Sequence, residues 1–109
     1  MAFKIAIVPH FKRVVKVNTP KEDGTGFNES TLKVVYKRVS VEEINELKNL
    51  KMKDAMLRVV TGFEDFLDEE NKPIEVTPEN IDLLLSVPEA LVAINDEFWV
   101  SLYKAKEKN

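Results

Sequence analysis

An α+β domain follows from three features of the 109-residue sequence. Two β-branched, basic segments occupy the first forty positions; helix-start signals follow at Ser40, Thr77 and Ser86; and an aromatic, turn-rich stretch separates the first helical segment from the others. The expected architecture is an N-terminal antiparallel β-hairpin or small sheet packed against three to four α-helices, with a short β-like segment in the middle. One domain is expected at this length. It divides into a basic β region (1–40), an acidic helical region (41–104) and a frayed tail (105–109).

Residues 2–9 form an apolar run broken by Lys4, and Pro9, His10, Phe11, Lys12 and Arg13 follow where a signal peptide would have its small-residue cleavage site. The run is read as part of the fold and the protein as cytoplasmic, with Phe3 to Val8 available as a third strand. Residues 11–18 and 31–39 read as strands; Leu32, Val34 and Tyr36 share one face of the second, and Lys33, Val35 and Lys37 the other. Between them, residues 19–30 hold a proline, two glycines and mostly polar side chains, which predicts a long mobile loop.

Ser40-Val41-Glu42-Glu43 has the form of a capping box, with Val39 and Ile44 at the staple positions, so a helix starts at residue 41. Its apolar side runs through Ile44, Leu47, Met52, Met56, Val59 and Val60, with a change of phase at 50–52 that predicts a bend or break. Gly62 suits the position just past the C-terminus, ending that helix near Thr61. Phe63, Phe66, Ile74 and Val76 flank the turn-forming tract 68–73, where Asn71 can take positive φ, and predict a packed β-like segment.

Thr77 and Pro78 supply N-cap and first-turn residues for a helix that buries Ile81, Leu84 and Leu85 and leaves Leu83 to one side. Ser86 and Pro88 repeat the signal for a last helix running to about Lys104. Leu91, Ile94, Phe98, Leu102 and Ala105 should face the core, while Val92, Trp99 and Tyr103 form a flanking stripe.

The net charge of −3 conceals a division. Residues 1–40 carry eight basic and three acidic side chains, +5; residues 41–109 carry eight basic and sixteen acidic, −8. Lys12, Arg13, Lys16, Lys33, Lys37 and Arg38 could meet phosphates, which gives the alternative of a small adaptor or regulatory protein binding nucleic acid through its basic N-terminal strands, but the acidic half would repel a polyanion and no nucleic-acid motif is present. Attraction between the halves, within the chain or between copies, is the simpler reading.

Candidate chemistry is sparse. With no cysteine and one histidine, His10, neither thiolate sites nor imidazole clusters can form. Asp68, Glu69 and Glu70 lack the spacing of a calcium loop, Gly24 and Gly26 do not lie between strand and helix, and Ser40 and Ser86 have capping roles. No catalytic residue, metal or cofactor is expected. Trp99 and Tyr103, one helical turn apart with Val92 and Asp96 nearby, are of the types favoured at interfaces and form the candidate protein-binding stripe, rimmed by Asp96, Glu97 and Lys104.

Residues 60–88 carry a more specific pattern. Gly62-Phe63-Glu64-Asp65-Phe66 is followed by the acidic turn Asp68-Glu69-Glu70-Asn71. Pro73-Ile74-Glu75-Val76-Thr77-Pro78-Glu79-Asn80-Ile81 comes next, and then Leu83-Leu84-Leu85-Ser86-Val87-Pro88. This succession resembles the tail assembly chaperones of long-tailed phages and prophages, as do the two basic strands before it. Phe63 stands where that family usually has Trp, and Asn71 where glycine is common. Gly62, Phe63, Phe66, Asn71, Pro73, Thr77, Pro78, Asn80 and Leu84 carry the motif. The resemblance implies a non-enzymatic chaperone in the bacterial host cytoplasm, absent from the mature virion. Such a chaperone binds the tape measure protein and recruits tail tube protein around it during tail morphogenesis. Multiple copies on one client would make it a homo-oligomer; no membrane partner is implied.

Overall fold

Alternation along the two N-terminal strands sets the layout. The computed structural model describes residues 2–5 and 8–107, with side chains through Tyr103. β1 (His10–Pro20) and β2 (Phe27–Lys37) pair antiparallel, Phe11 opposite Tyr36, Arg13 opposite Val34 and Val15 opposite Leu32. Phe11, Arg13, Val15 and Val17 therefore share the inner face with Leu32, Val34 and Tyr36; Lys12, Val14, Lys16, Lys33, Val35 and Lys37 take the outer face.

The long loop is corrected: the strands take half of it, and the connection is residues 21–26 alone. Lys21 N–H donates to the Gly26 carbonyl (2.9 Å) and Gly24 N–H to the Lys21 carbonyl (3.1 Å). Gly24 and Gly26, at φ +75° and +139°, adopt backbone that side chains resist. Asp23 Oδ1 holds the tip, accepting from the Thr25 N–H (3.0 Å) and hydroxyl (2.6 Å). Pro20 was misleading because it occupies a position whose amide faces the open edge of β1, where its missing N–H takes nothing from the ladder.

The third strand is not the N-terminal segment. Phe3 and Ile5 are exposed outside the sheet, and Ala6 and Ile7 lie outside the described residues. Instead β3 (Val60–Glu64) joins the far side of β2, giving the antiparallel order β1-β2-β3 with a register shift between Val35 and Tyr36. The expected helix end at Thr61 is thus corrected to Val59. Val59, Val60 and Thr61 are β-branched and favour extended backbone, and β2 offers an edge to pair with. Gly62 lies within that strand opposite Val35 rather than after a helix. The region after residue 40 is therefore not purely helical.

α1 (Val41–Leu47) starts as expected, Glu43 N–H donating to Ser40 Oγ at 3.2 Å. The Glu43 carboxylate does not close the box; it pairs with Lys37 Nζ (3.0 Å). The phase change is a break, and α2 (Met52–Val59) begins after residues 48–51. Beyond β3, Phe66 meets Phe63 edge-on with centroids 5.2 Å apart. An isolated bridge from Leu67 to Pro73 closes the acidic turn, and Asn71 sits at φ 62°. Val76, expected in the core, is 45% exposed on the outer side of the sheet near Gly62.

α3 (Pro78–Leu85) is capped by Thr77, whose Oγ1 accepts from Asn80 N–H (3.1 Å). Leu84 and Leu85 are buried, Ile81 packs against them, and Leu83 faces outward. Ser86 closes α3 rather than opening the next helix: its hydroxyl donates to the Asp82 carbonyl (2.7 Å). α4 (Pro88–Glu107) runs three residues past the expected end at Lys104; Lys108 and Asn109 of the expected tail, and the Ala105 side chain, lie outside the described residues. Its core stripe is Ala90, Ile94 and Phe98, with Leu91 half-buried. Leu102 was expected there but is exposed, because it lies past the end of the sheet at His10 and Lys37.

All four helices contribute to one core on the inner face of the sheet. At its centre Tyr36 is fully buried, stacked on Phe11 (5.4 Å), tilted against Phe98 (5.5 Å), and donating its hydroxyl to the Ile94 carbonyl of α4 (2.8 Å). Burial, assisted by the nearby Glu97 carboxylate, pushes this phenol above the ordinary tyrosine value. Folding then holds a proton that the unfolded chain releases, so the associated stability is complete below pH ~10 and declines above it. Tyr36→Phe should lower stability by about 1 kcal/mol at neutral pH and flatten the decline above pH ~10. Denaturant midpoints of both proteins on either side of that pH measure the effect.

Candidate functional site

The candidate stripe lies on the side of α4 turned away from Ala90, Ile94 and Phe98, but its members separate. Val92 and Tyr103 are 47% and 57% exposed, with Asp96 exposed between them. Trp99 leans toward α2 and is half-buried. Its ring meets Phe98 edge-on (5.1 Å), its Nε1–H donates to Asn95 Oδ1 (3.1 Å), and Leu47, Leu50, Met52 and Ala55 line the cleft beside it. Trp99 thus joins α4 to α1 and α2, apart from the exposed Val92 and Tyr103 of the expected stripe. Glu97 leaves the expected rim as well, because it turns inward; the Lys104 side chain lies outside the described residues.

The six basic residues are likewise not one surface. Lys12, Lys16, Lys33 and Lys37 stand on the outer sheet face, Arg38 follows the end of β2, and Arg13 is on the inner face. Several are paired. Lys12 bonds Glu64 of β3, Lys37 bonds Glu43 of α1, and Lys16 lies 3.9 Å from Glu29 across the hairpin. Arg13 donates through Nε and Nη2 to one oxygen of Glu97 (2.9 and 2.6 Å), tying β1 to α4. Its position was readable: it shares strand parity with Phe11, Val15 and Val17, so alternation alone turns it inward. Of the six, Lys12, Arg13, Lys16 and Lys37 face carboxylates of the same chain, and among the described residues Lys33 and Arg38 are in no ion pair.

The motif residues form a structural unit. Gly62 and Phe63 lie in β3, Phe66 packs on Phe63, Asn71 and Pro73 shape the turn, and Thr77, Pro78 and Asn80 start α3. Asn80 Nδ2 also donates to the Glu75 carbonyl (2.9 Å), fastening the helix start to the segment before it. Leu84 carries the unit into the core. In the acidic turn Asp68 Oδ1 is occupied by the Glu70 and Lys72 amides (2.8 and 3.0 Å). Among the described residues no group of three or more His, Asp or Glu side chains could hold a metal ion, and no helix is long and apolar enough to cross a membrane.

One nucleophile-like arrangement escaped the sequence reading. Lys53 Nζ lies 2.8 Å from Ser86 Oγ and 2.9 Å from Asp82 Oδ1. The serine hydroxyl donates its proton to the Asp82 carbonyl, the lysine is engaged by a carboxylate, and both sit on the exposed surface. This geometry ties α2 to α3 and does not activate a nucleophile.

Comparison with protein-family models, curated proteins and solved structures returns no match to this chain.

The Lys12–Glu64 pair yields a test of the sheet's outer face. The Lys12 ammonium, by hydrogen bond and then by charge, holds the Glu64 carboxyl below its ordinary value. A depressed folded value means that the contribution to stability is present at neutral pH and is lost as pH falls through the Glu64 midpoint. NMR titration should place that midpoint below the usual ~4.3, and Lys12→Met should move it upward.

Proposed function

We propose that this protein is a phage or prophage tail assembly chaperone that holds the tape measure protein by non-covalent contact and brings tail tube protein to it. The observation that carries the proposal is the ordered motif across residues 60–88. Its elements pack together as β3, the acidic turn and the capped α3 instead of lying scattered over the fold. The outward face of α4 supports it further, since Val92 and Tyr103 offer separated apolar anchors about three turns apart along a helix. An amphipathic client helix could lie against them, and Asp96 between them would favour a client with basic residues beside its apolar positions. The wider acidic region keeps a chaperone bearing such a surface from associating indiscriminately.

The test is co-expression with the tape measure protein encoded by the same phage or prophage. A soluble complex should form where the tape measure protein alone precipitates. Val92→Asp together with Tyr103→Ser should weaken capture by about tenfold or more while leaving the thermal melt unchanged, because both side chains are exposed. Trp99→Ala should instead lower the melting temperature, as expected for a side chain wedged between α4 and α2. Failure of the wild-type chain to keep the tape measure protein in solution would refute the proposal.

A further inference from the structure

β1 is an edge strand, and among the described residues one side of its backbone has no partner in the sheet. The register and the bonds from Arg38 N–H to Pro9 and from Lys21 N–H to Gly26 assign the odd-numbered residues of β1 to the β2 ladder. The amides and carbonyls of Lys12, Val14, Lys16 and Asn18 therefore point outward. Beside this edge the flank of α4 rises to form an open groove of about 880 Å³. On its helical side Val92 and Val100 are apolar and Glu89 and Asp96 acidic, and on its strand side lie Val14 and Lys16. Among the described residues neither carboxylate is in an ion pair, whereas Glu97 is neutralised by Arg13.

We propose that this groove binds an extended segment of another polypeptide, added antiparallel or parallel to β1 as a fourth strand, with apolar and basic side chains turned toward α4. Unpaired strand backbone selects extended peptide over helix or nucleic acid, since only another strand returns its alternating donors and acceptors. Charge selects the side chains. Residues of the incoming strand that face α4 meet valines and two free carboxylates, while those facing the other way meet Lys12 and Lys16 and must be uncharged or acidic. A second copy of β1 is a poor occupant: antiparallel pairing about Val14 would set Lys12 opposite Lys16 in both directions. The groove shares Val92 and Asp96 with the outward face of α4, but its defining element is the β1 edge, and it does not depend on the identity of the client.

The test uses the full chain and a labelled synthetic peptide, Thr-Val-Thr-Lys-Thr-Val-Thr-Lys, against the same peptide with glutamate for lysine. Fluorescence anisotropy should show the lysine peptide binding about tenfold tighter or more. The surface variant Glu89→Lys/Asp96→Lys should reverse that preference. NMR hydrogen exchange should slow at the Val14, Lys16 and Asn18 amides on adding the lysine peptide, and stay unchanged at Val15 and Val17, which already bond to β2. The proposal is overturned if neither peptide binds, if both bind equally, if the charge-reversed variant keeps the original preference, or if exchange at the three edge amides is unaffected. Because the probe is synthetic, failure here leaves the tape measure assay as it stands, and failure of that assay leaves this result intact.

Discussion

The hydrogen bond from Tyr36 to the Ile94 carbonyl is the point at which sheet and helices become one body. The bond joins the central strand to the middle of the longest helix, in a place where no water can substitute for either partner. Apolar burial alone would press α4 onto the sheet without fixing its rotation or its position along its axis, since hydrophobic attraction has little direction. A phenol that must find an acceptor supplies the missing direction. Phe11 and Phe98 hold the ring from either side, and Arg13 with Glu97 repeats the connection nearer the surface. With α4 set, α2 and α3 have a fixed wall to pack on, and the core closes around Met56, Leu85 and Ile94.

Features encoded locally were legible in the sequence. Ser40 and Thr77 cap the helices expected of them, Asn71 takes positive φ, and the break near residue 50 follows from a shift in apolar phase. Features that depend on distant pairing were not. β3 is only five residues long, and its extended state rests on an edge of β2 some twenty-five positions earlier. The hairpin likewise continues through a segment whose composition reads as loop, because each strand supplies the other's hydrogen bonds. At the candidate site, helical spacing gave the outward face of α4 correctly for Val92, Asp96 and Tyr103. It could not show that Trp99 tips sideways into the gap left by the end of α1.

The charge division along the chain acquires a structural meaning. The cross-links from Lys12 to Glu64, Arg13 to Glu97 and Lys37 to Glu43 each run from the basic N-terminal half to the acidic remainder. These pairs are wholly or partly exposed, so their individual contributions to stability are small. Their value lies in arrangement. Like charges within each half disfavour wrong pairings, and opposite charges between halves favour the observed one. The carboxylates left over, on the turn and along α4, then set the electrostatic character of the surface.

β3 covers only the stretch of β2 from Lys33 to Tyr36. The far end of the hairpin, from about Asn18 round to Glu29, is a bare two-stranded ribbon anchored where Val17 enters the core. Such a ribbon gains its stability from its own ladder and can open without disturbing the layers behind it. The molecule therefore carries two levels of cooperativity: a body that unfolds as a whole, and an arm whose unzipping proceeds from the Asp23 tip inward and halts where Val17 and Leu32 enter the core.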